Sequence, residues 1–311
     1  MPNSSPSHCI LEPKERHKKL FCFGYGYTAS YLAERLKLYD WEIAGTTTDE
    51  EKLAFMKQEG VEAHLFDHSQ PLWDVASVLK DVTHILLSIP PSTEGDPVFH
   101  THGFELAALP NIEWVGYLST TGVYGNQDGR YVDETHLPSP TSRRGQSRLT
   151  AEEQWREISS DHFPVHFFRL SGIYGPGRSA LDAVRAGDSR RIEKPGHVFN
   201  RIHIEDILQV LISSINAPKA GEVYNLADDY PAPSHEVIAY ACTLLGYDVP
   251  PIIPYSEVDL APIVRSFYAD NKRIKNEKIK KELGISLIYP TFQKGLEACL
   301  ADDEEAAKLL V

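Results

Sequence analysis

Short apolar runs alternate with amphipathic stretches from residue 20 onward. The first run, Leu20-Phe21-Cys22-Phe23, contains no polar position, which is typical of a strand that is covered on both faces. Ala29, Leu32, Ala33 and Leu36 then recur at helical spacing. The pattern therefore predicts a buried strand that leads directly into an amphipathic helix.

The same alternation continues through the first half of the chain. Further strands are predicted at Trp41–Thr46, Val61–Phe66, Ile85–Leu87, Trp114–Leu118 and Val165–Leu170, and helices at Asp49–Gln58 and Ser147–Ile158. Strands that alternate with helices in this way indicate βαβ units and a parallel sheet. The fold class expected is α/β, a doubly wound parallel sheet with a smaller C-terminal α/β lobe.

Several helices are predicted in the second half of the chain. Apolar residues from Ile204 to Ile215 mark one helix face, and Ser234 is a candidate N-cap for a helix that ends at Gly246. The Pro- and Ile-rich segment 247–255 should be irregular, and two more helices should close the chain.

Composition and charge narrow the function classes. The formal net charge of −13 disfavours a nucleic-acid or anionic-membrane partner, because the acidic surface repels phosphates and anionic lipids. Four scattered cysteines (Cys9, Cys22, Cys242 and Cys299) lack CxxC spacing and are expected to be free thiols. No apolar run reaches the length of a membrane span, and residues 1–18 are expected to form a flexible tail, so a cytoplasmic protein is expected.

The first predicted strand runs into a glycine-rich turn that fits the pattern GxGxxA. Gly24 would allow the tight turn, Gly26 would let a pyrophosphate approach the backbone, and Ala29 would keep the helix close to the sheet. Because a strand precedes the turn and a helix follows it, we expect a dinucleotide to bind here. The predicted cofactor-binding residues of the turn are Gly24, Tyr25, Gly26, Tyr27 and Thr28.

The end of the second predicted strand bears on the choice between NAD and NADP. An acid that binds the ribose 2′-hydroxyl of NAD is usual there, but this chain has Thr46, Thr47 and Thr48. The acids that follow are interpreted as helix-start residues, with Thr48 and Glu51 forming a capping box. NADP is therefore favoured over NAD, and the three threonines are predicted to line the cofactor site.

An ordered set of motifs resembles the extended short-chain dehydrogenases/reductases, the group that contains nucleotide-sugar epimerases and dehydratases. The motifs span about residues 20–300 and lie at Leu118–Gly125, Arg169–Gly177, Arg201–Asp206, Tyr224–Ala227 and Asn271–Ile274, with Glu282-Leu283-Gly284 near the C-terminus. The resemblance implies a Rossmann domain over residues 19–170, completed by about 201–228. It also implies that residues 171–311 form mainly a substrate lobe.

The family's Tyr-x-x-x-Lys pair is absent from the corresponding helix. Alignment puts Arg144 at the Tyr position and Arg148 at the Lys position. An arginine does not give up a proton near neutral pH, so Arg144 cannot replace the tyrosine in proton transfer, whereas Arg148 can hold a ribose or phosphate. These departures, with the GxGxxA loop, resemble the atypical, YeeZ-like subgroup.

The resemblance also implies roles for individual residues near the cofactor. Thr120 corresponds to the catalytic hydroxyl beside the nicotinamide, with a strand-end hydroxyl as the structural alternative, and Tyr124 is a candidate proton donor. Asp67 corresponds to an adenine contact, with an ordinary turn acid as the alternative. The remaining predicted cofactor contacts are Ser88, Ile89, Pro90, Thr120, Arg148 and Ser171.

Four further residues are assigned to the substrate, and no metal site is predicted. The substrate candidates are Thr121, Tyr174, Arg201 and His203, of which Tyr174 is also a candidate proton donor and His203 is favoured as a structural histidine. The two loop histidines, His100 and His102, lack the carboxylates of a metal site.

Two hypotheses for the function follow. The first is an NAD(P)-binding oxidoreductase- or epimerase-like enzyme acting on a small molecule, with a nucleotide sugar or related metabolite as the implied class. The second is a non-catalytic dinucleotide-binding sensor or interaction protein. The sequence leaves open the substrate, turnover itself and a homodimer.

Overall fold

The computed structural model describes residues 17–67 and 69–309, so most of the predicted tail and Cys9 lie outside the described residues. The strands, in chain order, are β1 (Lys19–Phe23), β2 (Glu42–Thr47), β3 (Glu62–Leu65), β4 (His84–Leu87), β5 (Trp114–Thr120), β6 (Tyr131–Val132), β7 (Val165–Leu170), β8 (Gly172–Tyr174), β9 (Arg191–Glu193), β10 (Arg201–His203), β11 (Val223–Leu226), β12 (Ile252–Pro254) and β13 (Arg273–Ile274).

Eleven α-helices lie in the described residues, and three of them follow segment 247–255, where the sequence predicted two. They are α1 (Tyr27–Lys37), α2 (Glu50–Gln58), α3 (Val75–Val78), α4 (Pro97–Ala107), α5 (Arg143–Ile158), α6 (Ala180–Arg185), α7 (Ile204–Asn216), α8 (Ser234–Leu245), α9 (Pro262–Phe267), α10 (Glu277–Glu282) and α11 (Phe292–Leu309). A 3₁₀ turn follows β5 at Thr121–Tyr124.

Seven strands form one parallel sheet in the order β11-β7-β5-β4-β1-β2-β3. β1 pairs with β2 on one side and with β4 on the other, so that Phe21 lies opposite Ala44 and Ile85. The strand order reverses at β1, which is the topological switch point where ligands bind in doubly wound sheets. The predicted Rossmann-type α/β fold is confirmed.

Three local predictions need correction. α5 begins at Arg143 rather than Ser147, because its first turn is polar and carries no apolar periodicity. The N-cap of α8 is Pro233, and Ser234 is already the first helical residue. The segment expected to be irregular contains β12, which pairs with β9 in the register Ile253 to Ile192. The predicted end of α8 at Gly246 is confirmed by its φ of +70°.

The described chain forms two compact units that interleave along the sequence. The first comprises residues up to Val123, Arg143–Arg169 and Leu208–Tyr224; the second comprises Tyr124–Ser142, Leu170–Ile207 and residues from Asn225 onward. The core of the first unit lies on the sheet and includes Phe21, Phe23, Ile85, Val115, Tyr117 and Trp155. The core of the second unit packs α6, α8 and α11 together around Leu181, Val237, Ala241, Phe292 and Leu296.

None of the helices in residues 17–67 and 69–309 combines the length and apolar character needed to cross a bilayer. Cys22, Cys242 and Cys299 are free thiols, as predicted, and the structure adds that all three are buried.

Candidate functional site

The loop after β1 turns sharply at Gly24. The φ of Gly24 is +87°, and a Cβ atom there would lie 2.8 Å from Ile89 Cγ1 and 3.2 Å from the Ile89 backbone nitrogen. The Gly24 N–H donates to Thr46 Oγ1 at 2.9 Å, and its carbonyl accepts from Ser88 Oγ at 2.5 Å. Backbone conformation and the close approach of the segment after β4 therefore both require glycine at this position.

Gly26 differs from Gly24 because the fold itself does not need a glycine there. It is the N-cap of α1, with φ −92° and ψ −168°, and no atom lies within 4 Å of the position of a Cβ. The first turn of α1, which begins with Tyr27 and Thr28, contains no acidic residue. An open helix N-terminus without a side chain in front of it fits a pyrophosphate.

The side chain of Tyr25 lies inside this loop rather than on its surface. Its ring would be 3.2 Å from a Cβ on Gly45, and burial raises the pKa of its phenol. Tyr27 is half-buried and packs against Tyr31, with ring centroids 4.8 Å apart. The Tyr25 side chain therefore packs inside the loop, and the predicted contact of Tyr25 with the cofactor would be made by its backbone.

The three threonines at the end of β2 have different surroundings. Thr46 is 1% exposed and accepts the Gly24 N–H, and Thr47 is also buried, with its Oγ1 accepting from the Asp49 N–H at 3.2 Å. Thr48 is exposed. The predicted capping box is wrong: Asp49 caps α2, with its carboxylate accepting from the Lys52 N–H at 2.6 Å, because a carboxylate is a strong N-cap acceptor.

The ends of β3 and β4 carry the next group of predicted contacts. Asp67 Oδ1 accepts from Ser69 N–H and Oγ at 2.6 Å each and from the Gln70 N–H at 2.9 Å, which is the chemistry of a turn acid. Ser88 and Ile89 are half-buried against Gly24, and Pro90 is exposed. The structure thus favours the structural alternative for Asp67.

Arg148 lies beside the C-terminal end of β5, where Thr120 also lies. Its Nη1 donates to the Leu118 carbonyl at 2.6 Å and to the Tyr117 hydroxyl at 3.3 Å. Thr120 Oγ1 accepts from the Gly122 N–H at 3.1 Å, as the strand-end alternative requires. Arg144 is exposed one turn earlier on α5, and Thr121 is buried in the 3₁₀ turn.

A buried charge cluster that the sequence analysis did not anticipate fixes α5 to the sheet. Glu152 Oε1 accepts from Arg169 Nε at 3.0 Å and from Ser119 Oγ at 2.5 Å, and Oε2 accepts from Arg169 Nη2 at 2.7 Å. Glu152 and Arg169 are 1% and 3% exposed. The sequence feature that could have indicated this cluster is the four-residue spacing of Arg148 and Glu152, because residues four apart lie on the same helix face.

The two histidines considered for a metal lie on α4 rather than in a loop, which corrects their placement. His102 Nε2 accepts from the Leu72 N–H at 3.1 Å, and its Nδ1 pairs with Glu105 at 2.7 Å. His100 Nε2 instead lies 2.8 Å from the Glu94 carbonyl. Within the described ranges, no group of three or more His, Cys, Asp or Glu side chains is arranged to hold a metal ion.

In the second unit, the candidate proton donor Tyr124 is completely buried. Its hydroxyl donates to Asn225 Oδ1 at 2.8 Å. Ser171 donates its N–H to the Leu226 carbonyl at 2.9 Å, whereas its buried Oγ has no hydrogen-bond partner among the described residues. The roles of Tyr124 and Ser171 stay predictions, and the phenol of Tyr124 faces an amide instead of open space.

Tyr174 and His203 pack together in the same unit, with ring centroids 5.1 Å apart. The buried Tyr174 hydroxyl has no hydrogen-bond partner in the described chain, and it would lie 2.1 Å from a Cβ on Gly295. His203 Nδ1 accepts from the Glu205 N–H at 3.2 Å, and Nε2 lies 3.6 Å from Cys299 Sγ. Burial lowers the pKa of His203 to about 4, so the ring is neutral at pH 7, which favours its structural alternative.

A cavity of about 640 Å³ lies within the second unit, and Arg201 lines it. Its Nη1 donates to the Phe199 and Ala232 carbonyls, both at 3.0 Å, which fixes the guanidinium. The cavity volume is in the range of small-molecule sites. Arg201 thus lies at a ligand-sized cavity, whereas Tyr174 and His203 are not among the residues that line it.

Comparison with known proteins places the chain among relatives of the same length and fold. No family model matches it. Protein YeeZ of Escherichia coli (strain K12) is 26% identical over 285 residues, which cover 88% of this chain and 97% of YeeZ. A solved structure of a conserved protein of unknown function from Silicibacter pomeroyi DSS is 46% identical, with a TM-score of 0.84, and covers 92% of this chain and 99% of its own.

A more distant solved structure carries a bound cofactor. DesIV, a dTDP-glucose 4,6-dehydratase from Streptomyces venezuelae with NAD and TYD bound, is 17% identical, with a TM-score of 0.75 over 93% of this chain and 97% of its own. At that identity the likeness concerns the fold. This chain therefore belongs to the family of the conserved Silicibacter pomeroyi protein, within a YeeZ-like subgroup that has the Rossmann fold of NAD-dependent epimerases and dehydratases.

Proposed function

We propose that the chain binds NADP or NAD through the loop between β1 and α1, as an oxidoreductase- or epimerase-like protein. The contrast between the two loop glycines carries this proposal. Gly24 is required by its φ of +87° and by the contact with Ile89, but nothing in the fold occupies the space in front of Gly26. A glycine that packing does not require fits a ligand that approaches the backbone there.

The surroundings of β2 support NADP as the preferred cofactor. Thr48 is exposed at the strand end, where a carboxylate would serve NAD. The nearby Asp49 carboxylate accepts a backbone N–H of α2 and is therefore engaged as a helix cap. Lys52 is the nearest cation in the sequence for a 2′-phosphate.

Arg148 is the residue that we assign to the ribose or phosphate of the nicotinamide half. Its anchorage to the Leu118 carbonyl holds a permanent positive charge at the end of β5, next to Thr120. When bound, the nicotinamide supplies hydride transfer at C4. Neighbouring proteins of this fold bind nucleotide sugars such as UDP-glucose, so a nucleotide sugar or related metabolite is the first substrate class to test.

A non-catalytic sensor is the second candidate function, and the buried phenol of Tyr124 favours it. The hydroxyl is fully buried and donates to Asn225, and Arg144 is present where the family has its tyrosine. General acid/base catalysis typically contributes roughly 10²–10⁴-fold, so an enzyme without it would be slow. Tight dinucleotide binding without turnover of any carbonyl or sugar-nucleotide substrate would identify the sensor.

Titration calorimetry with NADP and NAD tests the proposed binding. Gly26→Val places a branched side chain in the open space and should abolish binding while the protein stays folded, since its φ of −92° suits any residue. Glu34→Val is the matched control, because it is an exposed position of the same helix. Unchanged affinity in Gly26→Val, or no binding by the wild type, would overturn the proposal.

A further inference from the structure

The cavity of the second unit is lined by the half-buried guanidinium of Arg201, which forms no ion pair with a described residue. Among the residues that the structure describes, Arg201 Nε and Nη2 have no hydrogen-bond partner, and no carboxylate forms an ion pair with this guanidinium within 4.0 Å. Burial penalises an unpaired charge, and an arginine cannot escape by losing its proton. An anionic ligand that pairs with Arg201 would therefore stabilise this charge.

Asp228 is the nearby acid whose charge acts on Arg201. Asp228 is 2% exposed, and its Oδ2 has no hydrogen-bond partner within the described residues. Burial raises the pKa of Asp228 to about 8, against the opposing influence of Arg201. No oxygen of Asp228 lies within 4.0 Å of the guanidinium, so Asp228 forms no direct ion pair with Arg201.

The other charges at the cavity make a multiply charged ligand unfavourable. Asp188, Arg190 and Asp259 also line it, and all three are exposed. Together with Arg201 they give the lining a net charge of zero. A diphosphate would add at least two negative charges to a lining whose charges already cancel, whereas one carboxylate matches the half-buried Arg201.

One wall of the cavity is apolar. Val264 and Phe267 line it from α9, three residues apart and hence on one face of that helix, and they are 38% and 54% exposed. Leu260 and Tyr268, at either end of the same segment, are buried and complete this wall with Phe199. Exposed apolar side chains that face a cavity are the surface that an apolar ligand would cover.

We propose that this cavity binds a small organic monoanion, a carboxylate with an aromatic or branched apolar body, whose carboxylate pairs with Arg201 and whose body packs on α9. This assignment rests on the proposed function, because only that function makes the ligand a substrate. It names a carboxylate, rather than a nucleoside diphosphate, as the favoured class of ligand for this cavity.

Calorimetry on the full chain with three probes tests this assignment. The probes are 3-phenylpropionate, its neutral amide 3-phenylpropanamide, and UDP. We expect 3-phenylpropionate to bind at least tenfold more tightly than the amide and more tightly than UDP. Tighter binding of UDP, equal binding of carboxylate and amide, or no binding of 3-phenylpropionate would each overturn the proposal.

Variants separate the charge from the apolar wall. Arg201→Gln should remove the tenfold preference for the carboxylate over the amide, and Phe267→Asp should weaken both probes by tenfold or more. Arg185→Gln is the matched control, since Arg185 does not line the cavity and pairs with Asp303 at 2.6 Å. Should Arg201→Gln not fold, the wild-type carboxylate-to-amide ratio and Phe267→Asp still decide the outcome.

NADP titrations of the same samples keep the two proposals distinguishable. Loss of NADP binding with an intact carboxylate preference would refute the proposed dinucleotide function alone. Normal NADP binding with no carboxylate preference would refute the monoanion proposal alone.

Discussion

Removing the Glu152 carboxylate should destabilise the first unit more than any surface change on α5. Glu152→Ala deletes three hydrogen bonds of 2.5–3.0 Å and leaves Arg169, which is 3% exposed, without its counter-charge. Breaking a buried ion pair on one side costs about 3–5 kcal/mol, because the remaining charge stays desolvated. At roughly 2 °C per kcal/mol for a chain of this size, Tm should fall by about 8 °C.

Urea unfolding followed by far-UV circular dichroism measures this loss. Glu153→Ala is the matched control, because its side chain is exposed on the same helix and should change stability by less than about 0.5 kcal/mol. The double variant Glu152→Leu, Arg169→Met removes both charges and should recover more than half of the loss. A Glu152→Ala variant within about 1 kcal/mol of the Glu153→Ala control would refute the reasoning.

The same variant connects stability to the proposed cofactor site. Arg148 precedes Glu152 by four residues on α5, so a loosened helix would no longer hold the guanidinium against the Leu118 carbonyl. We expect NADP affinity to fall in Glu152→Ala and to return partly in the double variant. An unchanged NADP affinity in a destabilised Glu152→Ala protein would separate Arg148 from the cofactor.

Three further predictions concern other parts of the chain. Thr48→Asp should shift the ratio of NADP to NAD affinity toward NAD, because a carboxylate repels a 2′-phosphate; an unshifted ratio in paired titrations would contradict the proposed 2′-phosphate position. Because the folded-state pKa of Asp228, about 8, lies above its unfolded value, its contribution to stability is complete below about pH 4 and is lost as the pH rises through 8. Asp228→Asn should therefore gain more Tm relative to the wild type at pH 8.5 than at pH 5, and an equal difference at both pH values would show that ionisation is not the cause. Gly295→Ala should lower the free energy of unfolding by about 1–3 kcal/mol, because the added methyl group overpacks against the Tyr174 ring. Tyr174→Phe should stabilise the parent by removing an unpaired buried hydroxyl, and it should relieve part of the cost of Gly295→Ala. If the changes in unfolding free energy of the two single variants add up to that of the double variant, the contact is contradicted.

The sequence alone predicted the features that depend on local periodicity and on glycine. The apolar run Leu20–Phe23 predicted β1, because a strand that is buried on both faces contains few polar residues. The helical spacing after it predicted α1. The order of strands and helices likewise predicted the doubly wound sheet, since a parallel pair needs a crossover helix. Gly24 was identifiable as a turn residue, and the end of α8 at Gly246 followed from its position after the last helical apolar residues.

Only the tertiary structure decided which polar side chains are engaged within the fold and which remain available to a ligand. Thr46 faces Gly24 across two strands, Tyr124 meets Asn225 across 101 positions, and Glu152 joins Ser119 and Arg169 from separate strands. The cavity beside Arg201 likewise depends on segments that are distant in sequence. Hydrogen-bond partners and cavities are set by long-range packing, which periodicity along the chain does not encode. The sequence thus determined the scaffold and the loop between β1 and α1, and the folded arrangement decided the surroundings of each candidate site residue.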